Sequence, residues 1–247
     1  MDIVNSDSSV EAPLELSPDA VHLWRVNLEA VSGAESRWSE ILSEDERIRA
    51  ARFHFDQDRR YFIAGRALLR CVLAEYLGTE AKDLKFEYSE KSKPALGGDY
   101  RASKLHFNIS HSGGIALFAI SGRRIGVDVE QIRHDFDTAA IAERFFSTHE
   151  RKQLAALPLD EQHEAFFRCW TRKEAYIKAT GDGLSLPLSQ FDVSITANDR
   201  NALLATRPDE LEATQWSLQD VQVGAGYCGA VCVFGAGWKL IDWNSSY

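Results

Sequence analysis

Cysteine is scarce, with only Cys71, Cys169, Cys228 and Cys232 in 247 residues. They sit among apolar neighbours without Cys-x-x-Cys spacing, which argues against a zinc knuckle or a disulfide framework and fits buried thiols in a reducing compartment. No apolar run approaches the length that spans a bilayer. The opening Met1-Asp2-Ile3-Val4 turns polar and acidic, with neither a basic start nor an apolar core of signal-peptide length, so a cytoplasmic location and no membrane partner are expected. Positive charge is also in deficit: 28 Lys and Arg against 37 Asp and Glu give a net charge of −9. That speaks against general nucleic-acid binding, which needs a basic surface, and confines any phosphate site to a local basic patch. What the chain does have is 45% hydrophobic residues, enough for one large domain or two small ones with a real core.

The order of elements repeats. Residues 1–18, rich in Ser, Asp, Glu and Pro, read as a flexible lead-in. Residues 19–122 then predict a strand (21–28), a short helix, a long helix (58–77, stopped by Gly78) and strands near 84–88 and 105–109. Residues 123–247 predict a strand (125–130), a short helix, a long helix (161–179, before Gly181) and strands near 191–195, 216–221 and 227–234. Both short helices open on a capping box, Ser43 to Glu46 and Ser147 to Glu150. The expectation is an α+β fold of two similar lobes in pseudo-twofold arrangement. Each lobe is a small, mainly antiparallel sheet packed on a long helix, and the site lies in the cleft between them.

Three carboxylates stand out. In Ile125-Gly126-Val127-Asp128-Val129-Glu130 the alternation puts Asp128 and Glu130 on one face, about 7 Å apart at the backbone. The turn Ser121-Gly122-Arg123-Arg124 predicts a hairpin between this strand and the apolar run 115–120. Glu174 falls inside the helical stripe Phe167, Trp170, Ile177, where a lone carboxylate is costly unless protonated, paired or metal-bound. An ion pair with Lys178 is the plain alternative, yet such a pair on an exposed helix contributes only about 0.3–0.5 kcal/mol. Three oxygen ligands without His or Cys suit Mg²⁺, which keeps waters and takes further ligands from phosphates.

Basic and small groups lie nearby in the sequence. Phe107-Asn108-Ile109-Ser110-His111-Ser112-Gly113-Gly114 runs from a strand into a small-residue turn that can receive a phosphate or be an ordinary polar turn. Ser110 beside His111 lacks the Gly-x-Ser-x-Gly frame, and adjacent residues of a strand point oppositely, so a catalytic triad is not expected. Lys91, Lys93 and Pro94 form one basic turn, Arg47, Arg49 and Arg52 follow the first capping box, and Lys173 and Lys178 flank Glu174.

Taken in order, Phe107 to Ser112, Gly126 to Glu130 and Trp170-Thr171-Arg172-Lys173-Glu174-Ala175-Tyr176-Ile177-Lys178 resemble the 4′-phosphopantetheinyl transferase family of the long, pseudo-dimeric (surfactin-synthetase-activating) type. The resemblance runs from about Arg47 to Phe191 and includes Ala64-Gly65-Arg66, Lys93-Pro94 and the segment 181–188. It implies transfer of phosphopantetheine from coenzyme A to a serine of an apo acyl, aryl or peptidyl carrier protein, with release of adenosine 3′,5′-bisphosphate. By it, Asp128, Glu130 and Glu174 hold Mg²⁺ (or Mn²⁺), and Glu174 and Lys178 act in catalysis. Lys173, Lys178, Asn108, Ser110 and His111 serve the phosphates of coenzyme A, with Arg47 and Arg49 nearby and Lys93 and Pro94 at the adenine. The lobe duplication points to a working monomer. A segment from Arg133 through Phe136 to Phe145 is the expected carrier contact.

Overall fold

Two 22-residue helices organise the chain, each closed by a left-handed glycine. The computed structural model describes residues 13–31, 34–89, 93–135, 137–181, 183–197, 199 and 202–244. In chain order the first half comprises β1 (Ala20–Asn27), α1 (Leu28–Val31), α2 (Glu35–Ile41), α3 (Glu44–Ala50), α4 (Asp56–Leu77), β2 (Phe86–Tyr88), β3 (Pro94–Leu96), β4 (His106–Ser112) and β5 (Ile115–Ser121). The second comprises β6 (Ile125–Gln131), α5 (Thr138–Phe145), α6 (Thr148–Ala156), α7 (Leu159–Thr180), β7 (Phe191–Val193), β8 (Leu203–Thr206), β9 (Trp216–Asp220), β10 (Tyr227–Phe234) and β11 (Lys239–Asn244). Gly78 and Gly181, at φ 61° and 85°, end α4 and α7 where the sequence places the stops, because a residue without Cβ adopts this conformation at no steric cost.

The main sheets are β11-β1-β5-β4 and β6-β10-β9, and period-2 alternation sorts their side chains into layers. From β1 and β5, Trp24, Val26, Ala116, Phe118 and Ile120 pack on α4. The intervening Val21, Leu23, Leu117 and Ala119 meet Ile125, Val127, Val129, Val231 and Val233 of the other sheet in a valine-rich middle layer. Ala230 and Cys232 face the α7 side. The order is therefore helix, sheet, sheet, helix, and Asp128 and Glu130 belong to the face of β6 turned to α7. Gly126 lets that helix approach: a Cβ there would lie 2.2 Å from Ala175 O and 2.3 Å from Ala179 N.

A buried polar knot repeats in each half. Glu46, in the α3 capping box, accepts from Arg66 Nε at 2.9 Å and Arg70 Nε at 2.7 Å, and Arg70 also donates to Ala81 O and Leu84 O. Glu150, in the α6 capping box, takes Lys173 Nζ at 2.7 Å, which donates onward to Leu188 O and Phe191 O. Capped short helix, long helix and following loop are thus stapled by the same device in both lobes.

Three expectations are corrected. The turn 121–124 does not close a hairpin, since β5 pairs with β1 and β4 while β6 pairs with β10. Both faces of these strands are buried, and Arg123, bonded to Pro18 O and Ala236 O, turns the chain from one sheet to the other. The span 123–247 does not stay within the second lobe, because β11 returns to pair in parallel with β1, where Trp243 stacks on Trp24 at 5.0 Å. The lead-in is docked at its end: Leu14 and Leu16 pack on the first core, and Leu14 N donates to Glu75 O. Its residues 1–12 lie outside the described residues.

Candidate active site

The strand β6 has one edge against β10 and presents the other to β4, but no backbone ladder joins β4 and β6. Side chains make the seam instead. Asn108 Oδ1 accepts Val127 N–H at 2.8 Å, Ser110 Oγ accepts Val129 N–H at 3.4 Å and Ser112 Oγ accepts Gln131 N–H at 3.0 Å. The i, i+2, i+4 spacing on β4 matches the i, i+2, i+4 spacing of outward amides on β6, so a strand edge that would otherwise leave buried donors unpaired is satisfied. The same hydroxyls donate to the acids: Ser110 to Asp128 Oδ1 at 2.7 Å and Ser112 to Glu130 Oε2 at 2.8 Å.

Above the seam, α7 presents Glu174 and Lys178, one turn apart. Lys178 Nζ lies 2.6 Å from Asp128 Oδ1 and donates to Ser110 Oγ at 3.0 Å. Its ion pair is therefore across the seam to Asp128. The pairing with Glu174 that helical spacing allows is not made, and none of the ion pairs among the described residues includes Glu174. Burial, then the Asp128 charge, pushes the Glu174 carboxyl up to about 7, against the pull of Lys178 and with a further push from Glu130. Burial and Asp128 likewise raise Glu130, opposed by bonds from Ser112 and Trp170. Asp128 Oδ2 is buried without a hydrogen-bond partner.

Asp128, Glu130, Glu174 and Lys178 line one cavity of about 790 Å³ between the lobes, with Ser112 behind Glu130 and outside the lining. Asn108, Ser110 and His111 reach it from β4, Lys93 and Pro94 from the start of β3, and Arg49 from α3. Desolvation in the cavity and the Lys178 charge lower the His111 pKa, so its imidazole is neutral at physiological pH. Lys93 donates to Lys178 O, at the C-terminal end of α7, and burial with Arg124 and Lys178 lowers its ammonium to about 8.

Two expected residues are elsewhere. Lys173 is wholly buried in its pair with Glu150 and does not line the cavity; successive helical residues diverge by about 100°, so it cannot share the face of Glu174. Arg47 donates to Leu42 O at 2.6 Å and caps the end of α2. Lys91 and Phe136 lie outside the described residues. Sequence reasoning missed Ser112, Arg66 and Trp170. Arg66 lines the cavity while held by Glu46 and Tyr88 Oη, and Trp170 lines it while bonding Glu130. The Asn108, Ser110, Ser112 alternation was the available signal for the first.

Among the described residues no group of three or more His, Cys, Asp or Glu side chains stands closed in metal-binding geometry, and no helix is long and apolar enough to cross a membrane. The donor set nevertheless fits a hard divalent cation. Asp128 raises the pKa of both Glu130 and Glu174, one of its own oxygens is buried without a partner, and every candidate donor is oxygen.

Fold and site define a two-lobed α+β protein whose acidic cluster and basic rim face a single inter-lobe cavity. A family model described as the 4′-phosphopantetheinyl transferase superfamily matches residues 124–232, and one described as 4′-phosphopantetheinyl transferase, N-terminal, matches 32–122. The 4′-phosphopantetheinyl transferase HetI of Nostoc sp. is 40% identical over 94% of this chain and 94% of its own. The 4′-phosphopantetheinyl transferase Sfp of Bacillus subtilis is 32% identical over 79% of this chain and 84% of its own. The holo-[acyl-carrier-protein] synthase (AcpS) of Thermotoga maritima aligns with a TM-score of 0.35 and 18% identity over 45% of this chain and 62% of that one, too slight a likeness to carry an argument. This chain belongs to the 4′-phosphopantetheinyl transferase superfamily and is a transferase.

Proposed function

We propose that this transferase takes coenzyme A as donor and an apo acyl, aryl or peptidyl carrier protein as acceptor, works in the cytoplasm as a monomer, and needs Mg²⁺. One observation carries the reading: Asp128, Glu130, Glu174 and Lys178 converge on the same cavity wall that Arg49, Lys93 and His111 rim. Anionic phosphates and an acidic cluster share a site only where cations mediate between them. Asp128, Glu130 and Glu174 are the residues that would hold Mg²⁺, which when bound offsets charge on the pyrophosphate.

The remaining chemistry falls to the chain itself. A carrier serine oxygen forms a bond to the β-phosphorus of coenzyme A as the bond to the departing adenosine 3′,5′-bisphosphate breaks. Glu174, whose pKa burial and Asp128 raise to about 7 in the metal-free cluster, takes the serine proton, directly or through a water. Lys178, anchored on Asp128 and Ser110, supplies positive charge to the leaving phosphate. Neutral His111 and the Lys93–Pro94 turn hold the nucleotide portion, with Arg49 at its phosphates.

Intact-protein mass tests the reading. With Mg²⁺ and coenzyme A, an apo-carrier should gain about 340 Da, the mass of one phosphopantetheinyl group. Tight coenzyme A binding with no mass gain on any of a panel of carriers would instead mark a coenzyme A-binding regulator. Phosphopantetheine released without a carrier would mark a pyrophosphate hydrolase.

A further inference from the structure

We infer that Ser112 is a positioning residue for the acidic cluster. It locks the Glu130 carboxylate and the end of β6 in one orientation, so the affinity of the site for a divalent cation depends on it. The inference rests on the reading of Asp128, Glu130 and Glu174 as cation ligands.

The direction of each hydrogen bond at Ser112 is fixed. Gln131 N–H can only donate, so Ser112 Oγ accepts it at 3.0 Å. The one hydroxyl proton is then left for Glu130 Oε2 at 2.8 Å. A hydroxyl donating to a carboxylate makes a charge-assisted bond, which fixes the acceptor oxygen in place. One oxygen thereby ties backbone and side chain of adjacent residues, which leaves Glu130 little freedom to rotate away from Asp128.

The serine is itself held. The next residue, Gly113, sits at φ +55°, and a Cβ there would come within 2.7 Å of Tyr227 Oη and 2.8 Å of Gln131 Oε1. Gly114 N donates to Tyr227 Oη at 3.4 Å. Tyr227 belongs to β10, opposite Gln131 in the ladder, so the turn after β4 is clamped against the second sheet beside Ser112. Ser110 plays the parallel part for Asp128, but it also carries Lys178, and its replacement would disturb two functions at once. Ser112 touches the cluster through Glu130 alone, which makes it the cleaner probe.

The test compares the full chain with Ser112→Ala and Ser112→Thr, reading Mn²⁺ binding by electron paramagnetic resonance in the presence of coenzyme A, corrected for Mn²⁺ held by coenzyme A itself. Loss of a hydrogen-bond partner behind a metal ligand weakens metal binding roughly 10- to 100-fold, so Ser112→Ala should bind Mn²⁺ at least about 10-fold more weakly while Ser112→Thr stays near wild type. Should Ser112→Ala fail to fold, Ser112→Cys, of similar size and poor hydrogen bonding, stands in with the same expectation. Mn²⁺ affinity in the alanine or cysteine variant within a factor of roughly two of wild type, whatever its melting temperature, overturns the role of Ser112 and leaves the cation reading standing. Wild-type protein that binds no Mn²⁺ overturns both.

Discussion

Lys173 Nζ lies 2.7 Å from Glu150 Oε1, with both side chains wholly excluded from solvent. This pair locks α6 to α7, while Glu174 and Lys178 line the cavity from another face of the helix. Lys173→Met strands a buried carboxylate and should cost about 3–5 kcal/mol in denaturant unfolding while the KM for coenzyme A stays unchanged. A raised KM with stability intact would return Lys173 to the substrate.

Glu174→Gln keeps side-chain shape and removes a carboxylate that burial and two like charges disfavour. Turnover should fall by roughly 10²–10⁴-fold, the worth of a general base, with coenzyme A affinity within a few-fold. The melting temperature should hold or rise, since a desolvated charge is gone. Near-normal turnover would refute the catalytic assignment.

A methyl group at position 126 would stand 2.2 Å from Ala175 O, which makes Gly126→Ala a test of how closely α7 must ride on β6. The helix has to move away, at or above the upper end of the roughly 1–3 kcal/mol that overpacking costs. Because Glu174 and Lys178 travel with it, kcat should drop in protein that is still folded, as single-turnover kinetics on the native fraction will show. Unchanged stability and kcat would mean the layers are looser than their spacing implies.

His22 is buried, bonds Tyr76 Oη at 2.7 Å through Nδ1, and has its pKa lowered by burial. The unfolded chain, with histidine near 6.5, then binds the proton more readily than the folded one. Stability therefore rises with pH up to about 6.5 and is lost as pH falls below that value toward the depressed folded pKa. Melting curves of wild type and His22→Gln should diverge in pH dependence only below about 6.5. Parallel curves across that range would remove His22 as a source of acid sensitivity.

The long helices and β6 are legible in the sequence because their signals are local: glycine stops, 3.6-residue apolar spacing and strict alternation around Asp128 and Glu130. Residues that need a distant partner are not. Nearness in sequence suggests that Lys173 joins Glu174 at the site, although neighbours on a helix point about 100° apart. The 121–124 turn has hairpin composition, but the choice between pairing and crossing is made by the valine layer on both sides of it. Ser112 looks like part of a phosphate turn, since the amide it serves belongs to β6, whose edge becomes visible only once the sheets are assembled. Lys239 to Asn244 contains Ile241 and Trp243 but no strict alternation to announce a strand, and its pairing partner β1, about two hundred residues away, supplies the order.

That last strand also bears on how relatives of this chain can be recombined. A cut at residue 122 or 123 looks like a clean junction between exchangeable halves, yet it would hand the second parent's β11 to the first parent's β1 and set a foreign residue against Trp24 in place of Trp243. Inheritance in this architecture is interlaced, and the smallest coherent unit of exchange for the first lobe is 14–122 together with 239–244.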